Sequence, residues 1–327
     1  MLGIDNINSF FFFLINNNFR ELKTQYAAGR IEKSEFISKA HQEFHSILFD
    51  LSDELANTDI AAIELTENKV CMLTRLDGIR IIVDNADHRT APIEILNFNA
   101  YEPELGSVIR SLAPFMNTMF DIGANIGWYS LLVQKINPSA VIHAFEPIPV
   151  TFQRLKDNID LNNTLNVYLH NYGLSSNSGT FPFYYYPEGT GNASLQNLAN
   201  RDDAQVFECA LKTLSSIQNE LIINETIDFI KCDVEGNELF VIQGGEGLID
   251  KHKPIILLEL LRKWSAQFNY HPNEVIELLR HHGYNPYVCT TNGKLMPIQL
   301  ITDKTIETNF FFVHPESRLR GKLTFNS

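Results

Sequence analysis

The feature that most constrains this chain is a run of alternating strand and helix patterns that begins at Thr118. The stretches "TMFDI", "WYSLLVQKI", "AVIHAFE", "VTFQRLKDNIDL" and "NVYLHNY" follow in order. Short apolar runs alternating with helical spacing predict a parallel sheet with crossover helices on both faces. From Gly173 to about Asn200 the chain turns wetter, rich in Gly, Ser, Asn and Tyr. That stretch predicts a hairpin with a long loop, of a kind that can cover a site. The alternation resumes with "TIDFIKCD", a helix from about Glu238, "PIILLEL", a helix from about Asn273 to His282, and closing strands near "YNPYVC" and "NFFFVH". With 327 residues, 44% of them hydrophobic, the chain can fill a large α/β core.

Ahead of the alternation the period differs. Phe36, Ala40, Phe44, Ile47, Leu48 and Leu51 recur at helical spacing, so residues 1–57 read as a helical accessory segment. Residues 58–100 read as a β-hairpin segment, with turns at Glu67-Asn68 and Asp77-Gly78. The main domain then spans 101–316 and a tail 317–327. The run "SFFFFLI", Ser9 to Ile15, is too short to span a bilayer and lacks the basic flank of a signal peptide, so a buried first helix is expected, with a peripheral membrane anchor through its four phenylalanines as the alternative.

A net charge of −13 argues against a nucleic-acid surface. Cys71, Cys209, Cys232 and Cys289 show no short paired spacing, which points to reduced thiols and a cytoplasmic setting.

The loop after the first strand, "MFDIGANIG", looks like a nucleotide-binding turn. Aligned on G-x-G-x-x-G from Gly123, it has Asn125 at the second position and Trp128 at the third. An asparagine there would crowd a pyrophosphate and a tryptophan would hold helix off sheet, so a dinucleotide-dependent oxidoreductase is disfavoured and a nucleoside is favoured. Glu146 ends the next strand, 23 residues after Gly123, where a carboxylate can accept from both hydroxyls of an unphosphorylated ribose.

Three segments, "MFDIGANIGWYSLLVQKI", "HAFEPIPVTFQRLKDNI" and "IDFIKCDVEGNELFVIQGG", closely resemble the FkbM family of S-adenosylmethionine-dependent methyltransferases, over about Tyr101 to His314. The resemblance implies a class I methyltransferase fold, a Rossmann-like seven-stranded sheet with one antiparallel strand, and O-methylation of hydroxyls on sugars, polyketides and related metabolites. It also implies that Asp121, Gly123, Asn125 and Gly127 form the cofactor loop, that Glu146 takes the ribose, and that Asn171 and Tyr172 border the adenine. "GNASL", Gly191 to Leu195, matches a family segment near cofactor or substrate. One departure is "CALKTLSSI", where Ser215 or Ser216 stands in place of the family's aspartate.

Methyl transfer is an in-line displacement, for which the protein aligns the reactants and a base takes the hydroxyl proton. Asp233, Glu235 and Glu259 sit at strand ends where they can serve as that base, and Asp233 also borders the cofactor. His271, ahead of a helix, is a further candidate. This acidic lining suits a sulfonium and an ammonium, and its hard oxygens could hold Mg²⁺, although no spacing demands a metal. Glu238 reads as favouring a helix start and His143 as a sheet-face residue. The aromatic run Phe181 to Gly189 either stacks on a sugar or packs on the accessory segment. The partner implied is a small-molecule or glycan acceptor, with a second copy or a biosynthetic partner reached through the N-terminal helices. The rival reading is an inactive methyltransferase-like scaffold.

Overall fold

The computed structural model describes residues 19–189, 191, 193–221 and 226–326. The "SFFFFLI" run lies outside them. The chain forms two compact units, residues 1–58 and 59–327.

In the first unit, the helices Lys33–Ala40 and Ser46–Leu55 are joined through a π-helical turn, His41–His45. Phe19 packs on Phe44 with ring centroids 4.7 Å apart, and Tyr26 stacks on Phe36 at 4.9 Å. Leu22 and Ala40 are buried, whereas Ile47, Leu48 and Phe49 are exposed. Among the described residues, no helix is long and apolar enough to cross a membrane.

The second unit opens with a three-stranded antiparallel sheet of β1 (Ile60–Leu65), β2 (Val70–Thr74) and β3 (Arg80–Val83), turning at the two pairs read from the sequence. The free edge of β3 is satisfied by side chains of the helix Pro149–Leu161 and the residue after it. Asn158 Oδ1 accepts from the Ile82 amide at 2.9 Å, and Asn162 Oδ1 accepts from the Arg80 amide at 2.9 Å. Amide side chains here do what another strand would otherwise do. Between β3 and the main sheet the stretch "APIEILNF", expected within the hairpin segment, is a helix, Ala91–Phe98. Pro92 sits in its first turn, where a missing N–H costs nothing.

The main sheet contains β4 (Thr118–Ile122), β5 (Val141–Phe145), β6 (Val167–His170), β10 (Ile227–Cys232), β11 (Ile255–Glu259), β12 (Asn285–Cys289), β13 (Leu295–Pro297) and β14 (Asn309–Val313), in the order β13-β12-β14-β11-β10-β4-β5-β6. Strands β6, β5, β4, β10 and β11 run parallel, and β14 inserts antiparallel between β11 and β12. This is the seven-stranded class I arrangement with an eighth strand added. After β12 a tight turn with Gly293 at φ +72° folds β13 back antiparallel, covering the β12 edge. β4 and β10 are buried at every position, as expected of parallel strands covered on both faces.

A separate small sheet joins β7 (Gly173–Leu174), β8 (Gly179–Tyr185) and β9 (Gln205–Lys212). β8 and β9 form the expected hairpin with its long loop. From its aromatic run, Phe183 lines the cleft beyond the ends of the main-sheet strands. Phe183 and Tyr185 fill a local core with Ile148, Cys209 and Leu211.

Candidate active site

The chain leaves β4 in one direction toward β5 and β6, and later returns on the other side to place β10 and β11. The gap beyond the ends of β4 and β10 is therefore the topological switch point, where open α/β sheets bind ligands. A cleft of about 950 Å³, counted to its open mouth, lies there. Gly123, Asn125, Glu146, Asp233, Glu235 and Glu259 line it.

Gly123 follows β4 at φ +73°, and a Cβ on it would stand 1.8 Å from the Asp233 carbonyl oxygen. No side chain fits there. Two residues on, Asn125 adopts φ +48°, a left-handed conformation that asparagine tolerates better than most residues. Its amide donates to Glu146 Oε2 at 3.1 Å, while the Ile148 amide donates to Oε1 at 3.0 Å. Glu146 is buried, and burial pushes its carboxyl up to about 7 against those two amides. Each of its oxygens keeps lone-pair capacity for a hydroxyl donor, because a carboxylate accepts about four hydrogen bonds.

The opposite wall is acidic. Asp233, Glu235 and Glu259 each bring an oxygen within 4.8 Å of the other two. Burial, followed by the charges of Asp233 and Glu235, pushes the Glu259 carboxyl up to about 10, and a hydrogen bond with Asp233 reinforces the shift. Glu235, at φ +52°, is raised well above the usual range by burial and then by Asp233 and Glu238; its Oε2 is out of reach of water and has no hydrogen-bond partner. Like charges this close cannot all ionise, so the cluster holds protons among its members at neutral pH. Lys231 Nζ donates to Asp233 Oδ2 at 3.1 Å. That ammonium already supplies part of the positive charge a divalent ion would bring.

Several residues singled out from sequence lie elsewhere. Asp121 is buried beneath the loop rather than in the cleft lining; its Oδ2 accepts from the Ser130 amide at 3.1 Å and the Ser130 hydroxyl at 2.6 Å, tying β4 to the helix Trp128–Ile136. Gly127, at φ +90°, faces Leu155, whose Cδ1 would be 2.6 Å from an added Cβ. The close helix approach expected from the third fingerprint position is thus met one residue earlier, and Trp128 is buried, 5.4 Å edge-to-face from Tyr101. Asn171 folds back onto the carbonyls of Glu146 and Pro147, at 2.9 and 3.1 Å, and Tyr172 lies against Phe145 under the Lys212 ammonium. Neither lines the cleft.

His271 is corrected from candidate base to helix cap. Its Nδ1 accepts from the Asn273 amide at 3.2 Å, and Glu274 returns the bond to the His271 amide at 2.8 Å. Glu238 is buried, with Oε1 accepting from the amides of Val234 and Gly236 at 3.1 Å each. It shapes the turn that carries Asp233 and Glu235. Ser216, at the departure from the family pattern, forms a capping box with Thr213. Gly191, Ala193 and Leu195 line the cleft, and the Ser194 hydroxyl donates to the Glu235 carbonyl at 2.9 Å.

The sequence reading missed Lys231, Tyr101 and Glu102. Tyr101 and Glu102 line the cleft from just before the helix Pro103–Leu112, and Tyr129 Oη is hydrogen-bonded to Glu102 Oε2. A lysine inside the apolar strand "IDFIKCD" was the available signal, since lysine is rarely buried without a partner.

Residues 121–286 match the model of the methyltransferase FkbM domain. The chain is 33% identical over 171 residues to methyltransferase sdnD of Sordaria araneosa, across 44% of this chain and 65% of that one. It is 32% identical over 195 residues to the 31-O-demethyl-FK506 methyltransferase FkbM of Streptomyces tacrolimicus, across 51% and 72%. It is 33% identical over 134 residues to the hexuronic acid methyltransferase AglP of Haloferax volcanii, across 39% and 49%. The chain therefore spans less than two thirds of the fungal relative's length.

Proposed function

The chain belongs to the FkbM methyltransferase domain family, and from that premise we propose that it moves the methyl group of S-adenosylmethionine to a hydroxyl oxygen of a sugar or related metabolite. The observation that carries the reading is the pairing of two unlike carboxylate environments across one cleft. Glu146 is held by two backbone amides, while Glu259, with an oxygen close to those of Asp233 and Glu235, has its carboxyl pushed up to about 10 by burial and by their charges. The residues present suit the cofactor: an obligatory glycine at the loop, an asparagine in place of a pyrophosphate-binding glycine, and a carboxylate for the ribose.

When bound, the cofactor supplies an electrophilic methyl on a positively charged sulfur. The chain's residues do the rest. Glu146 accepts from the ribose hydroxyls and fixes the nucleoside along the ends of β4 and β5. The acidic wall offsets the cofactor's positive charge. Held by Glu146 at its ribose, the bound cofactor would supply the methyl to the acceptor oxygen and would keep the electron pair of the broken carbon–sulfur bond on its sulfur. The acceptor's proton passes to Asp233, whose neighbour Glu259 stays protonated at neutral pH and donates to it. Such base assistance contributes about 10²–10⁴-fold.

One relative is named for methylating hexuronic acid and another for methylating 31-O-demethyl-FK506, which supports a hydroxyl acceptor, and Arg89 at the cleft wall favours an acceptor bearing a carboxylate. The test is incubation of the full chain with methyl-labelled S-adenosylmethionine and a panel of hexuronides, neutral hexosides and polyketide alcohols. Label recovered as an alkali-stable methyl ether on a hexuronide supports the reading. Label recovered as an alkali-labile ester, or on no acceptor while the cofactor binds, contradicts it.

A further inference from the structure

A second cavity adjoins the cleft, and the mechanism above gives it no task. It is an open groove of about 760 Å³, counted to its mouth, and Leu195, Leu211 and Asn237 line both it and the cleft. One strand also links the two. Side chains of β8 alternate between faces, so Phe181 and Phe183 share a face about 7 Å apart, with Phe183 in the cleft and Phe181 in the groove.

Three aromatic rings reach the groove from different parts of the chain. Phe181 is 36% exposed, and its ring lies over Gly179, where a Cβ would stand 2.9 Å from it. Phe240 comes from the helix Glu238–Gln243 and Phe268 from the 3₁₀ turn Ala266–Phe268; their ring centres are 6.2 Å apart, tilted by 48°. Both are half-buried, packed against the main core. Phe268 also covers Gly236, where a Cβ would stand 2.7 Å from its ring, so the groove wall rests on the turn that carries Asp233 and Glu235.

The rest of the lining is polar but uncharged. Ser176, Asn177 and Gln196 belong to it. Asn177 Nδ2 donates to Ser176 Oγ at 3.1 Å, which leaves Asn177 Oδ1 and the Gln196 side-chain amide without a hydrogen-bond partner among the described residues. Among those residues no Asp, Glu, Lys or Arg lines the groove, in a chain of which 20% is charged. A charged ligand would lose water there with no counter-charge to meet it. A plain alkyl chain would cover the amides and leave them unpaired. A neutral pyranose meets both conditions: its C–H face is apolar and lies against the electron-rich face of an aromatic ring, while its hydroxyls meet amides that both donate and accept.

We propose that this groove is an acceptor subsite for a neutral glycosyl unit, next to the unit methylated in the cleft. The inference rests on the proposed function for the transfer, but not for sugar binding in the groove. The acceptor it implies is a glycoside of at least two units. The neutral unit lies against Phe181 and Phe240, and its neighbour carries the reacting hydroxyl to the acidic wall. Recognition is then divided, with Arg89 reading charge at the cleft and the groove reading an uncharged ring.

The experiment titrates the full chain, labelled with ring-¹³C phenylalanine, with methyl β-glucoside, methyl β-galactoside and methyl α-mannoside, and separately with 1-hexanol. Phe181 and Phe240 signals are assigned by their loss in Phe181→Leu and Phe240→Leu. At least one glycoside should shift both signals saturably, and 1-hexanol should bind more weakly or not at all. Phe181→Ala should weaken the glycoside by about fivefold. Should that variant fail to fold by circular dichroism, Gln196→Ala, an exposed side chain of the same groove, takes its place. Signals unmoved by all three glycosides, 1-hexanol binding at least as tightly, or an affinity unchanged in the folded variant would each overturn the proposal. Glycoside shifts with no methyl transferred to any acceptor would remove the proposed reaction and leave the sugar site. Methyl transfer with both signals unmoved would remove the sugar site and leave the reaction.

Discussion

At the scale of residues, the cleft is built on positions where one atom more is excluded. Gly123 is the sharpest case, because its Cβ would overlap the Asp233 carbonyl. Glu146 is a case of electrostatics rather than space. Its carboxyl is raised by burial from the ordinary 4.5 to about 7, so the folded chain binds that proton more tightly than the unfolded one. Stability from this group is fully present below pH 4.5 and is lost as pH rises through about 7. The neutral isostere Glu146→Gln carries no such pH dependence. Thermal melts without ligand should therefore show the variant gaining on the native chain from pH 5 to pH 8; a constant gap across that range would show that burial does not tax the carboxylate.

Much of the site at this scale was legible in the sequence. Gly123, Asn125, Glu146, Asp233, Glu235 and Glu259 follow strands whose apolar pattern is unambiguous, so their place at strand ends could be counted out. Asn171, Tyr172 and His271 were not legible, since a residue near a strand or helix end can turn toward the cleft or fold back on the backbone, and spacing does not distinguish the two. Lys231 was hidden for a different reason. Its meaning comes from acceptors 108 and 2 residues away in the chain, brought together by the sheet.

At the scale of elements, the strand–helix alternation from β4 to β11 could be read directly, because buried parallel strands are continuous apolar runs and their helices are amphipathic. The helix Ala91–Phe98 was missed because eight residues with two isoleucines also read as strand. β13 was missed because three residues carry too little periodicity to register. The helix Pro272–His281 tests the reassignment of His271. Replacing it with alanine should remove one cap bond and lower unfolding free energy by about 1 kcal/mol, read as a denaturation midpoint. Affinity for S-adenosylmethionine should not change. A loss of affinity with unchanged stability would return His271 to the site.

At the scale of the whole molecule, similarity to the methyltransferase relatives covers about half of the chain, and it falls on the second unit. That unit contains every residue named in the cleft. In the first unit Ile47, Leu48 and Phe49 are exposed. The chain carries a net charge of −13, and at the cleft Asp233, Glu235 and Glu259 lie together with Lys231 bonded to Asp233. The account turns on that cleft binding a nucleoside through Glu146. The most direct test is calorimetric titration of the full chain with S-adenosylmethionine, native and Glu146→Ala. Saturable one-site binding should be weakened at least about tenfold in the variant, the loss expected for hydrogen bonds to a charged group. Equal affinity in both chains, or no binding to the native one, would contradict it.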